Sequence, residues 1–432
     1  MINKKIITCS FFLEIKHKRL ITIVKTIIFD VVGNYFSNKK QSMSELIHFF
    51  KPIQLENLID FEFQPGTLGN IISKYINENE FPELVADVAI IGVNEDRQAE
   101  KNAGTANAPD EVRNFLYKLH TGNFEPKIID LGNIQKGFEV DDTYFALAKT
   151  VETLIKKNII PIIIGGSQDL TYAQFRGYEN LEQTINMVTI DAEFDLGDPE
   201  SMNTNSSFLG KIILHQPNYL FNYSNIGYQT YLVSPSSINM MNKLYFDCYR
   251  LGNIRDNIQE SEPIIRHADM LSFDFSSIKH SDAPAQQVPQ PNGFYSEEAC
   301  QMMRYAGMND KLSSVGLYEI NPEFDERGKT SHLAAQMIWC FMDGFYNRKK
   351  DYPTRTSSDY TRFHVFIQDN KYEINFYKSN KSDRWWMEVP YPSHEKLKFE
   401  RHALIPCSYK DYEIACKDEI PDRWWQTYQK LQ

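Results

Sequence analysis

The chain has 432 residues, 42% of them hydrophobic, and a formal net charge of -11. Such acidity excludes a general nucleic-acid binder, which would show a basic footprint, whereas the apolar content suffices for one α/β domain of roughly 250 to 300 residues plus appendages. Six cysteines, at positions 9, 248, 300, 340, 407 and 416, have no metal-like spacing and read as reduced thiols of a cytoplasmic protein.

Residues 1–42 are rich in Ile, Phe and Lys and differ in composition from the rest of the chain. Glu14, Lys16, Lys18, Arg19, Lys25 and Asp30 interrupt every apolar run well short of the roughly 18 to 20 residues that span a bilayer, so no membrane span is expected. The stretch reads as a non-native or disordered extension ahead of a start at Met43, where a helix begins, with a weak amphipathic membrane-surface segment as the alternative. The main domain is expected over 43–350. Within it, Ala86 to Val93 and Lys127 to Leu131 read as strands, and Thr143 to Lys157 as a helix with Phe145, Leu147, Ala148, Val151 and Ile155 on one stripe. The apolar runs Ile159 to Ile164, Met187 to Ile190 and Ala268 to Leu271 read as buried parallel strands, and Ser296 to Ala306 and Ser331 to Tyr346 as helices. This alternation predicts a three-layer α/β/α domain around a mainly parallel sheet. From Asp351 the rhythm changes. Arg362 to Ile367 and Tyr372 to Tyr377 alternate with period two around a turn, a hairpin pattern within a small β-containing extension spanning 351–432. Two copies of Asp-Arg-Trp-Trp, at Asp383 to Trp386 and Asp422 to Trp425, suit either an interface for a protein partner or a second copy, or apolar cover for the small sheet.

Three short segments come after the buried strands: Gly165-Gly166-Ser167-Gln168-Asp169, Asp191-Ala192-Glu193-Phe194-Asp195 and Ser272-Phe273-Asp274-Phe275-Ser276. Open α/β sheets bind ligands at the carboxyl ends of their strands, so the three are expected to converge on one crevice. No Cys-x-x-Cys, Gly-x-Ser-x-Gly elbow, P-loop or dinucleotide fingerprint competes with them.

These segments resemble the metal motifs of the ureohydrolases, the arginases, agmatinases and most closely the formimidoylglutamases, which read Gly-Gly-Asp-His, Asp-Ala-His-x-Asp and Ser-x-Asp-x-Asp and cage two manganese ions. Ala103-Gly104-Thr105, Ala108 to Arg113, Ile129 to Asn133 and Glu319 to Asp325 match in order, and Phe194-Asp195-Leu196 with Asn205 to Phe208 lean toward the formimidoylglutamase branch. The resemblance implies an arginase-like fold and six ligand positions. Asp191, Asp195 and Asp274 are retained, whereas Gln168 and Glu193 replace histidines and Ser276 replaces an aspartate. Losing both imidazoles and one carboxylate weakens a transition-metal pair, while the oxygen donors left suit one hard cation, Mg²⁺ or Ca²⁺. We expect no bound metal, with one divalent cation (Mg, Ca or Mn) as the alternative. Lys279, where the family has an aspartate, is a candidate to replace metal by neutralising the carboxylates. Glu319 falls at the family's position for the guanidinium or formimidoyl end of the substrate; it would either take a cationic ligand through paired hydrogen bonds or brace its own loop. His215, after Ile212-Ile213-Leu214, reads as a strand-end residue rather than a proton shuttle. The expected function is a non-catalytic binding or assembly protein with a degraded dimetal site; the alternatives are a hydrolase of a formimidoyl or guanidino C–N bond with an atypical metal site, and a sensor of a cationic small molecule.

Overall fold

Near-continuous apolar runs form strands buried on both faces. In the computed structural model, which describes residues 46–57, 63–181, 183–198, 203–353, 359–369, 371–392 and 400–431, every residue of β3 (Val88–Val93), β4 (Ile128–Ile134), β5 (Ile160–Ile164) and β6 (Ile185–Ile190) is buried. The same holds for β9 (Met270–Asp274) and β10 (Ser314–Tyr318). With β1 (Phe50–Lys51), β2 (Ser73–Lys74), β7 (Leu220–Tyr228) and β8 (Asp247–Arg250) they make a ten-stranded sheet in the order β1-β4-β3-β5-β10-β9-β6-β7-β8, β2 pairing with β4. Among these described strands only β1 runs antiparallel to its neighbour, so the α/β expectation with a mainly parallel sheet holds. Strand ends differ from the sequence reading in one useful place: the third motif lies inside β9, because Ser272 pairs across to β10 and β6 and Asp274 ends the strand.

The helices, in chain order, are α1 (Leu68–Ile71), α2 (Ala108–Leu116), α3 (Val140–Lys156), α4 (Leu170–Arg176), α5 (Phe208–Leu214), α6 (Pro235–Lys243), α7 (Leu251–Asp256), α8 (Ser261–Arg266), α9 (Ser296–Met308) and α10 (Lys329–Tyr346). Pro109 at the start of α2 fits a position where no backbone donor is needed. Arg113 then pins α2 to β4, donating from Nε and Nη2 to the two oxygens of Asp130 at 2.9 and 2.8 Å, while the Tyr117 hydroxyl donates to Asp130 at 2.7 Å. α9 and α10 cross with their backbones in contact: a Cβ on Gly307 would run into the Phe341 carbonyl, and one on Gly344 into that of Arg304. His215 corrects the sequence reading. The apolar run before it belongs to α5, whose C-terminal end His215 caps by donating its backbone N–H to the Ile212 carbonyl, while its imidazole lies 3.2 Å from the Tyr172 hydroxyl and 3.0 Å from Glu179.

Beyond residue 351 the expected hairpin is present as β11 (Tyr360–Ile367) and β12 (Tyr372–Ser379), in register from Tyr360↔Ser379 to Ile367↔Tyr372. β13 (Trp385–Glu388) and β14 (Leu404–Cys407) complete a separate antiparallel sheet, covered by α11 (Tyr409–Cys416) and α12 (Asp422–Leu431). The tryptophans resolve in favour of cover. Trp386 and Trp424 are among the largest fully buried side chains, Trp385 is buried as well, and of the four only Trp425, 39% exposed, reaches the surface. The arginines of both motifs bind within the chain: Arg384 to Glu262 at 3.2 Å and Arg423 to Glu260 and Asp411 at 2.7 Å each. Arg266 of α8 stacks on Trp386 and donates to the Trp385 and Cys407 carbonyls, fastening the small sheet to the main one. Phe50 to Gln432 accordingly forms one compact unit, where the sequence suggested a break near residue 351.

The first unit, Met1 to Phe49, is described only at its end, a 3-10 turn over Ile47–Phe49. The extension over 1–42 and the start at Met43 lie outside the described residues. No helix among the described residues is long and apolar enough to cross a membrane. Cys248, Cys300, Cys340, Cys407 and Cys416 are free thiols.

Candidate functional site

Four adjacent strands, β5, β10, β9 and β6, end at the same rim of the sheet, and each delivers one part of the site. After β5 the chain turns through Gly165 and Gly166, both at positive φ (88° and 77°), and presents Gln168. A side chain on Gly166 would collide with Leu170 and the Glu95 carbonyl, so this tight turn requires glycine. β6 leads into Asp191, β9 ends on Asp274, and β10 leads into Glu319, itself held at φ 67°. Together they line a cavity of about 190 Å³ at the carboxyl edge of the sheet, as the topology requires.

Asp191, Asp195 and Asp274 converge, each offering an oxygen within 4.8 Å of the others. Asp191 accepts the Glu193 backbone N–H at 2.9 Å through one oxygen and the Gln168 side-chain amide at 2.7 Å through the other. Asp274 accepts the Ser276 N–H at 2.6 Å, so the serine at an expected ligand position contributes its backbone. Glu193 lines the cavity but is exposed and stands outside the cluster of three, a correction to its place among the oxygen donors expected to hold one cation. Lys279 also falls elsewhere. Its ammonium lies 4.7 Å from the centre of the Tyr295 ring, and the cation lining the cavity is Lys101. Sequence reasoning missed Lys101, Asn102 and Gln286 as wall residues; Asn205 stood inside a quoted match, but nothing in its type marked it as a site residue.

Glu319 is 4% exposed and its carboxylate accepts the Gln168 N–H at 2.8 Å, the Asn102 amide at 2.9 Å and the Asn205 amide at 3.2 Å. With three donors in place, it braces three loops around the cavity and keeps little free acceptor capacity for a ligand.

Burial pushes the carboxyls of Asp191, Asp195, Asp274 and Glu319 above their ordinary values, and repulsion from Asp191 adds to the effect at the other three. A carboxyl raised in the folded state binds its proton more tightly there than in the unfolded chain, so stability falls as pH rises from the ordinary carboxylate value near 3.8 through the folded one. Asp274→Asn retains an acceptor for Ser276 and removes one charge. In the presence of a chelator it is expected to be more stable than the natural chain at pH 8, by roughly 1 to 3 kcal/mol, and to lose that advantage at pH 4. Thermal unfolding at both pH values checks this; a variant less stable at pH 8 would contradict the unrelieved repulsion.

The donor set also sets which metal would fit. Three carboxylates within reach of one point suit a single hard cation, whereas among the described residues no imidazole or thiolate lines the cavity to hold a transition-metal pair.

A sequence profile described as the Arginase family matches residues 86–343. The chain belongs to that family. The formimidoylglutamase of Staphylococcus haemolyticus is 26% identical over 299 residues, covering 66% of this chain and 96% of its own, and that of Photorhabdus laumondii is 23% identical over 289 residues, covering 64% and 90%. Among solved structures, Trypanosoma cruzi formiminoglutamase with Mn²⁺ superposes with a TM-score of 0.57 at 21% identity, covering 62% of this chain and 100% of its own. Formimidoylglutamase from Bacillus subtilis gives 0.56 at 19% identity, covering 61% and 88%. These likenesses fix an arginase-like fold for the main domain, with formimidoylglutamases among the relatives. The C-terminal sheet beyond residue 351 lies outside the family match.

Proposed function

We propose that this arginase-family chain uses its cavity to bind a small cationic ligand and is no longer equipped for two-metal hydrolysis. The carrying observation is the Gln168 amide donating to Asp191 at 2.7 Å: where the family motif has an imidazole lone pair, this chain aims a hydrogen-bond donor at the carboxylate a metal would share. The wall supports a cation as occupant, since Glu100, Asp191, Glu193, Asp195, Asp274 and Glu319 face the single charge of Lys101. A protonated amine or guanidinium would relieve the repulsion among the three aspartates as a metal otherwise would. The ligand would then be sensed or held without chemistry.

A second reading, hydrolysis of a formimidoyl or guanidino C–N bond with one divalent cation, is favoured by the relatives, which carry the name formimidoylglutamase, and they weigh on its side more than on that of a binding protein. A cation held by Asp191, Asp195 and Asp274 would supply Lewis-acid activation of water. Glu319, Asn102 and Asn205 would keep the loops in place, and Lys101 would stand at the mouth.

One experiment separates the two. After dialysis against manganese, the purified chain is expected to carry less than one manganese per chain, to release no urea from arginine or agmatine and no formamide from formimidoylglutamate above background, and to be stabilised thermally by agmatine. Manganese-dependent turnover would establish the hydrolase instead. No stabilisation by agmatine together with no turnover would reject both.

A further inference from the structure

A second cavity, of about 800 Å³, lies at the opposite end of the sheet, under the amino-terminal ends of β3, β5 and β10. Its walls mix apolar groups, Ile155, Leu312 and Phe345 among them, with five charged residues: Lys311, Arg348, Lys350, Asp87 and Asp310. A volume of that order is typical of sites for small organic molecules.

The charges are unequally satisfied. Asp87 receives the Tyr346 hydroxyl at 3.2 Å, and Asp310 receives the Asp351 backbone N–H. Arg348 is engaged from several sides: its guanidinium lies 4.5 Å over the Phe345 ring, its Nε donates to the Gly307 carbonyl at 2.8 Å and Asp310 attracts its charge, while its Nη2 is sealed from solvent with no acceptor among the described residues. Lys311 has no carboxylate within ion-pair distance among the described residues; Asp269, the acid that acts on it from farther off, is already engaged by Arg401. Burial also holds the Tyr352 phenol in its protonated, donating form, its pKa raised to about 12. Lys311 is therefore the buried cation of this wall that lacks an acceptor. An oxyanion entering the cavity would supply one through charge-assisted hydrogen bonds.

We propose that this cavity is a binding site for a small organic oxyanion, a carboxylate or phosphate monoester whose anionic group meets Lys311 and whose apolar body lies against Phe345 and Leu312. The site is independent of the carboxylate cavity at the other edge of the sheet.

Calorimetry on the full chain with benzoate, phenyl phosphate, inorganic phosphate and neutral benzamide tests it. Saturable binding of benzoate or phenyl phosphate is expected, whichever is tighter identifying the oxyanion, with inorganic phosphate and benzamide each about tenfold weaker or more because each lacks one half of the contact. Lys311→Met should weaken the organic anion by about tenfold, and the exposed Lys350→Met, which leaves the buried wall intact, should weaken it more modestly; Lys417→Met, on the far C-terminal helix region, should not. The proposal is overturned if neither organic anion binds saturably, if benzamide binds as well as benzoate, or if Lys350→Met together with any folded Lys311→Met leaves affinity unchanged.

Discussion

The triple variant Gln168→His, Glu193→His, Ser276→Asp is expected to bind manganese about a hundredfold more tightly than the natural chain, measured by competition with a chelator. Even outer-shell partners of metal ligands change affinity by about 10- to 100-fold, and the variant restores three direct donors. Each change acts on something visible. Gln168→His replaces the donor now aimed at Asp191, Glu193→His places an imidazole on a loop whose backbone already binds Asp191, and Ser276→Asp adds a carboxylate beside Asp274. Lys279 needs no change, since its ammonium is occupied with Tyr295. Unchanged manganese affinity in a folded triple variant would mean that the backbone cage itself has been lost.

Trp424→Ala is expected to cost about 3 to 5 kcal/mol and to unravel the C-terminal sheet, whereas Trp425→Ala should cost about 1 kcal/mol or less. Trp424 is fully buried, stacks on Tyr428 at 5.0 Å and donates its indole N–H to the Glu388 carbonyl at 2.9 Å, so its removal leaves a cavity and an unpaired acceptor together. Trp425 lies on the outer side of Tyr428. Denaturant unfolding of the two variants, combined with protease sensitivity beyond residue 351, distinguishes them. Equal effects would contradict the burial difference.

The main sheet was legible because its strands are buried on both faces and read as unbroken apolar runs, from Val88–Val93 to Ile160–Ile164. β7 was not: Leu220 to Tyr228 interleaves Asn222, Ser224 and Asn225, whose polar groups are satisfied by Asp247, Thr189 and the Glu193 carbonyl, partners that no local pattern announces. Motif order singled out Gln168, Asp191, Asp274 and Glu319, which line one cavity. It misplaced Lys279, because a position in a motif fixes a backbone and leaves a long flexible side chain free to find a ring instead. The paired tryptophans were ambiguous for a related reason. Composition marks a residue as adhesive, and only the register of β13 and the placement of α12 decide that it adheres within its own chain.

The contact between α9 and α10 at Gly307 and Gly344 reverses an ordinary rule of substitution. Alanine is the best helix former, and replacing a mid-helix glycine with it normally gains up to about 1 kcal/mol. Here the added methyl group has nowhere to go but into a carbonyl of the opposing helix, so both positions are closed to the smallest possible enlargement. Two helices separated by 20 residues of chain thus act as a single slab across that face of the sheet, and any attempt to stiffen either one by raising its intrinsic helicity at these points would pry the slab apart.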